Sequence, residues 1–125
     1  MRLWLTEVAA RLAAERDFLT QLDAAIGDAD HGVNMHRGFT AVMARVGTAE
    51  EATSGQLLKL AGRTFVSTVG GAAGPLYGTA FLQAGEAIGD VERFGPKLLL
   101  AALRASLEGI QRIGAAAPGD TTMVD

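Results

Sequence analysis

Apolar residues return along this chain at helical intervals almost from end to end. Leu5, Val8, Leu12, Leu19, Leu22 and Ile26 follow one another in steps of 3, 4, 7, 3 and 4, one face of a single helix or of two helices in series. Met35, Phe39, Val42 and Val46 repeat the pattern, and Leu57, Leu60, Ala61, Thr64 and Thr68 give a third stripe. A fourth helix is expected to open at Pro75, a favourable first-turn residue after VGGAAG, and to run to about Ala87 before Gly89. A fifth starts near Pro96, carries Leu99, Leu103, Leu107 and Ile110, and closes at Gly114 as its C′ residue. No stretch sustains a period of two, and β-branched residues are dispersed. The pattern therefore predicts an all-α fold, an up-and-down bundle of antiparallel amphipathic helices joined by short connections. No internal repeat or linker divides it, so residues 1–125 read as a single domain.

Composition narrows the function classes. With 49% apolar and 20% charged residues, the 125-residue chain is not of the disordered kind. A net charge of −3 leaves no surplus of cations to neutralise phosphates along a nucleic acid. The absence of cysteine excludes disulfide frameworks, zinc–thiolate sites and thiol nucleophiles. No apolar run approaches 18 residues, so no membrane-spanning helix is expected. The amphipathic N-terminus carries Glu7, Glu15 and Asp17 and has no signal-peptide core, which makes the cytoplasm the expected location. Sixteen glycines are many for this length, and much of that glycine is clustered between helical stripes. Such clusters mark loops where backbone must approach something closely.

The chemistry is concentrated in LDAAIGDADHGVNMHRGF. Asp23, Asp28 and Asp30 fall within eight residues, with Gly27 and Gly32 around the last two. Carboxylates gathered in one loop repel one another unless a cation offsets them, and Arg37 lies a helical turn beyond. An all-oxygen donor set favours a hard divalent ion, Mg²⁺ before Ca²⁺. The two-residue step from Asp28 to Asp30 would put both side chains on one side of an extended stretch. A solvated acidic turn is the plainer alternative; an EF-hand loop is disfavoured by the missing terminal glutamate. His31-Gly32-Val33-Asn34 then leads into a helix whose N-terminus would attract phosphate, with Asn34 as a cap or ligand contact and His31 as a phosphate contact or proton carrier. His36 falls on the helix, as surface or packing. A second glycine-rich entry, Thr68 to Thr79, lacks the G-K-[ST] of a Walker A loop and has no preceding strand; tight packing of small residues explains it equally well. Taken together, the carboxylates and two glycine-rich helix entries point to a metal-bridged di- or triphosphate.

DAAIGDADHGVNMHRGF, STVGGAAGPLYGTAF and PGDTTMVD resemble, in order and spacing, the signature segments of the nucleotide-binding L subunit of dihydroxyacetone kinase, a domain also found at the C-terminal end of single-chain ATP-dependent kinases. The resemblance covers essentially the whole chain. It implies an eight-helix barrel with ADP or ATP at one end and two Mg²⁺ ions on Asp23, Asp28 and Asp30. It places His31, Gly32, Val33 and Asn34 at the phosphates, with Ala72, Ala73, Gly114 and Met123 lining the rest of the site. It also implies partners: a K subunit that holds dihydroxyacetone on its own histidine, and a phosphohistidine donor, the M subunit, where the system is phosphotransferase-linked. A second copy of the chain stays open as a partner; nucleic acid and membrane are not expected. Related kinases of small ketoses, or a non-catalytic nucleotide-binding module, are the alternatives. Two positions depart from the pattern: Ala73 stands where serine is common and Thr121 where lysine is usual. The family domain extends beyond the position of Asp125, so further C-terminal helices are expected. In PGDTTMVD itself, Asp120 is expected to cap a helix opening at Thr121.

Overall fold

The computed structural model describes residues 1–25, 27–119 and 122–124; Ile26 of the first stripe and the expected cap at Asp120 and Thr121 lie outside them. Six α-helices follow in order: α1 (Arg2–Ala14), α2 (Arg16–Asp23), α3 (His31–Thr48), α4 (Ser54–Thr68), α5 (Ala73–Ile88) and α6 (Pro96–Gly114), with no strand among the described residues. The all-α expectation holds.

Local chemistry explains the boundaries. The first apolar stripe is two helices in series, broken at Glu15 (φ −97°, ψ 8°) although backbone bonds run on through the break. Thr53 opens α4 with a capping box: its hydroxyl accepts from Gln56 N–H at 3.3 Å while Gln56 Oε1 accepts from Thr53 N–H at 3.1 Å. The C-terminal end of α3 is tied to α1, where the Arg2 guanidinium donates to Val46 O and to the C-cap carbonyl of Ala49. Three expected boundaries move. Helix α5 opens at Ala73, two residues before Pro75, because Pro75 tolerates any first-turn position that needs no N–H partner. Gly114 is the last residue of α6, and Ala115 takes the left-handed position (φ 52°) expected of a C′ glycine. Helix α3 begins at His31, so His31 to Asn34 form its first turn and are not a loop before it.

Two buried clusters form the core, a smaller one of Leu58, Ile88 and Ala102 and a larger one across α1, α3 and α4. Leu5 of α1, Phe39, Val42 and Val46 of α3, and Leu57, Ala61 and Phe65 of α4 are buried together. Phe65 is the hub of the larger cluster, with its ring 5.1 Å from Phe39 and 5.7 Å from Phe81. Helices α4 and α5 pack backbone to backbone through glycine: a Cβ on Gly62 would sit 2.6 Å from Gly78 O, and one on Gly85 2.7 Å from Gly55 O. Positions ascending on one helix meet positions descending on the other, so the pair is antiparallel. Helix α6 returns along α5, where Ser106 Oγ donates to Ala80 O at 2.8 Å. A groove of about 490 Å³ runs past Trp4, Phe81, Leu99 and Leu103, drawing on α1, α4, α5 and α6. No helix among the described residues is long and apolar enough to cross a membrane.

Candidate metal and phosphate site

The end of α2, the turn that follows it and the start of α3 form the site. Asp23 is the last residue of α2, and Asp30 is the N-cap position of α3. One carboxylate oxygen from each of Asp23, Asp28 and Asp30 lies within 4.8 Å of the others. Asp28 and Asp30 are exposed and Asp23 is half-buried. Oxygen donors at this spacing fit a hard divalent cation.

The turn is not the extended stretch the two-residue step suggested. Ala29 is left-handed (φ 60°), and Asp30 sits at φ −122°, ψ −7°. A curled backbone brings Asp28 and Asp30 to Asp23, which pairing on one side of a strand would not do. A non-glycine residue with positive φ costs conformational energy, and such positions gather at functional sites.

Asp23 ties the turn to the helix. Its Oδ2 accepts from Asp30 N–H at 2.9 Å and from His31 N–H at 3.3 Å. The Asp30 bond is the main reason the carboxyl lies below its ordinary range; desolvation opposes it, and His31 adds to it. Asp30 makes no side-chain cap of its own, so the first N–H groups of α3 are met from the preceding helix. The remaining first-turn donors, Gly32 and Val33 N–H, have no intrahelical acceptor by helix geometry. Asn34 does not cap α3: it is buried, and its Oδ1 accepts from Arg37 Nη2 at 2.8 Å. Val33 is exposed.

Gly32 has a structural duty. A Cβ there would lie 1.9 Å from Arg16 O and 2.6 Å from Thr20 Oγ1. Only glycine lets α2 approach α3 this closely, and that approach carries Asp23 to the other two carboxylates.

The second glycine-rich segment reaches the same end of the bundle. Gly71 is left-handed (φ 64°), which favours glycine, and a Cβ on Gly74 would meet Val69 O at 2.1 Å, which requires it. Ala72 is the exposed N-cap position of α5, whereas Ala73 packs against the core. Gly114 lies opposite Leu76, 3.8 Å from its side chain by the Cβ measure. The His31 ring faces the Tyr77 ring with centroids 6.4 Å apart, which joins the starts of α3 and α5. Tyr77 also lines the apolar groove, and Met123 lies along it with Trp4 and Phe81. The sequence pattern singled out neither Thr20 nor Tyr77. Tyr77 was visible only as an aromatic one turn after a glycine-rich entry, and Thr20 carried no signal.

An all-helical bundle with clustered carboxylates beside an open helix N-terminus defines a candidate cation- and phosphate-binding protein. The chain belongs to the DAK2 domain family, whose model matches residues 25–125. It is 43% identical over 122 residues to the ADP-binding subunit DhaL of PEP-dependent dihydroxyacetone kinase 1 from Listeria innocua, covering 98% of this chain and 61% of that protein. It is 41% identical over 122 residues to the corresponding Escherichia coli subunit, covering 98% of this chain and 58% of that one. A D-erythrulose kinase of Mycolicibacterium smegmatis is 35% identical over 120 residues, which are 94% of this chain and 21% of that enzyme. The chain thus spans about three-fifths of the length of the two DhaL subunits.

Proposed function

We propose that this chain is the nucleotide-carrying component of a dihydroxyacetone kinase, binding ADP or ATP together with Mg²⁺ at the start of α3. The observation that carries this reading is the meeting of Asp23, Asp28 and Asp30 within 4.8 Å beside that helix N-terminus. Asp23, Asp28 and Asp30 would hold two Mg²⁺ ions, whose charge offsets that of the nucleotide phosphates. Gly32 and Val33 would donate backbone N–H groups to a phosphate, aided by the helix dipole. The His31 and Asn34 side chains would border that phosphate, Asn34 held in place by Arg37. Ala72, Ala73 and Gly114, at the facing ends of α5 and α6, would border the nucleoside, with Met123 closing it.

In this role the chain needs no nucleophile of its own, since phosphoryl transfer is mainly positioning and charge neutralisation. The phosphoryl group would arrive from a phosphohistidine protein, the M subunit, and leave for dihydroxyacetone held on a K subunit, in the cytoplasm. The Listeria and Escherichia relatives, which are ADP-binding subunits, support this assignment. The similarity to a D-erythrulose kinase favours a second reading, the nucleotide domain of an ATP-dependent ketose kinase.

Dialysis followed by mass spectrometry separates the two. A phosphotransferase-linked component retains about one ADP per chain, and its phosphohistidine donor converts that ADP to ATP. Free exchange of ATP supports the ketose-kinase reading. No nucleotide taken up by any route refutes both.

A further inference from the structure

Asp23 has two oxygens with different surroundings. Oδ2 is held by the N–H groups of Asp30 and His31. Oδ1 is turned toward Gly27, where a Cβ would lie 2.1 Å from it and 2.8 Å from Cγ of the same carboxylate. The three atoms nearest that hypothetical Cβ all belong to Asp23; the third is its backbone oxygen at 3.0 Å. Gly27 does not need to be glycine for its backbone, because its φ lies outside the left-handed region. It is also exposed, so no core packing depends on it. What the missing side chain provides is room for one carboxylate rotamer. Any side chain at position 27 must rotate that carboxylate away, and the rotation breaks its bonds to the start of α3.

We propose that Gly27 is a positioning residue for the cation cluster, keeping Asp23 in the rotamer that braces α3 with one oxygen and leaves the carboxylate facing Asp28 and Asp30. This rests on the cation reading of the trio given above. The consequence is specific: alanine, usually the mildest replacement for an exposed glycine outside the left-handed region, is damaging here, and the damage is local to the site.

The test uses the whole chain and two variants, Gly27→Ala and Asp23→Asn. Amide hydrogen exchange at Asp30 and His31, measured by NMR in EDTA, reads the bracing bonds with no ion present. Titration with Mn²⁺ as a paramagnetic substitute for Mg²⁺ reads the cluster. For Gly27→Ala we expect exchange at the two amides to accelerate about tenfold or more, with only the small fall in urea midpoint that loss of one helix cap brings. Cation affinity should fall about ten- to a hundredfold, the range seen when a ligand loses its orienting partner. Asp23→Asn keeps an oxygen that can accept both N–H groups, so it should retain most of the protection while losing cation affinity. Unchanged exchange in Gly27→Ala overturns the proposal, as does faster exchange with parental cation affinity. Parental cation affinity in Asp23→Asn overturns it equally. A flat Mn²⁺ titration of the parent chain refutes the underlying cation reading instead. The exchange rates in EDTA would still report, separately, where the carboxylate sits.

Discussion

Replacing Gly32 by alanine tests whether the closeness of α2 and α3 builds the site. The added Cβ would lie 1.9 Å from Arg16 O, and ordinary contact begins at 3.4 Å, so the two backbones must part locally by about 1.5 Å. The nearest atom is backbone, so no side-chain rotation relieves it. Overpacking of this kind costs about 1–3 kcal/mol, partly offset by the better helix propensity of alanine, up to about 1 kcal/mol. A net loss of about 1–2 kcal/mol should lower the thermal midpoint by several degrees. The functional effect should be larger. Asp23 ends the helix that is pushed back, and Mg²⁺ tolerates little departure from ligand distances of about 2.0–2.1 Å, so a ligand displaced by that much is lost. Cation affinity should fall about a hundredfold, as for other displacements near an ångström. Urea unfolding followed at 222 nm gives the stability term, and Mn²⁺ titration gives the affinity. Alanine retains the backbone N–H. If Gly32 served only to donate that N–H to a phosphate, both measurements would stay at parental values, and that result would refute the packing argument.

Two further outcomes follow from the core and the groove. Phe65, fully buried among Phe39, Phe81 and Tyr77, should cost about 3–5 kcal/mol on truncation to alanine, a large fraction of the stability of a domain this size; a parental urea midpoint for Phe65→Ala would show that the hub is misassigned. Burial pushes the phenol of Tyr77 above its ordinary value of about 10, so its contribution to stability is fully present below that value and is lost as pH rises through the higher folded value. Tyr77 is the chain's one tyrosine, so absorbance at 295 nm reads it alone; a native midpoint equal to that in denaturant would contradict its burial.

The helical period made the bundle legible where a stripe met the core, whereas Leu22 of α2 and Leu99, Leu103 and Leu107 of α6 keep the period and stay exposed. Phe39, Val42, Val46, Leu57 and Ala61 all fell where their spacing placed them. The boundaries were less legible. Ala115 adopts the left-handed turn that glycine would normally supply, and α3 starts a residue after Asp30 because Asp23, seven residues back, meets its first N–H groups. A cap supplied from another helix leaves no local signature. The acidic trio was legible as composition, but its assembly depends on left-handed Ala29 and on what glycine permits at positions 27 and 32. A one-dimensional pattern records that those glycines exist and does not record which atoms they make room for. Gly78 and Gly62 show the complementary case, in which small residues serve helix packing alone.

The most direct measurement is a calorimetric titration of the chain with ADP, made in Mg²⁺, in EDTA, and again with Asp30→Ala. Mg²⁺-dependent heat that vanishes in EDTA and in the variant, while the variant keeps the parent's helical circular dichroism, is the predicted result. ADP binding of equal strength in EDTA, or in Asp30→Ala with Mg²⁺, would show that the three carboxylates do not gather the ion that holds the nucleotide.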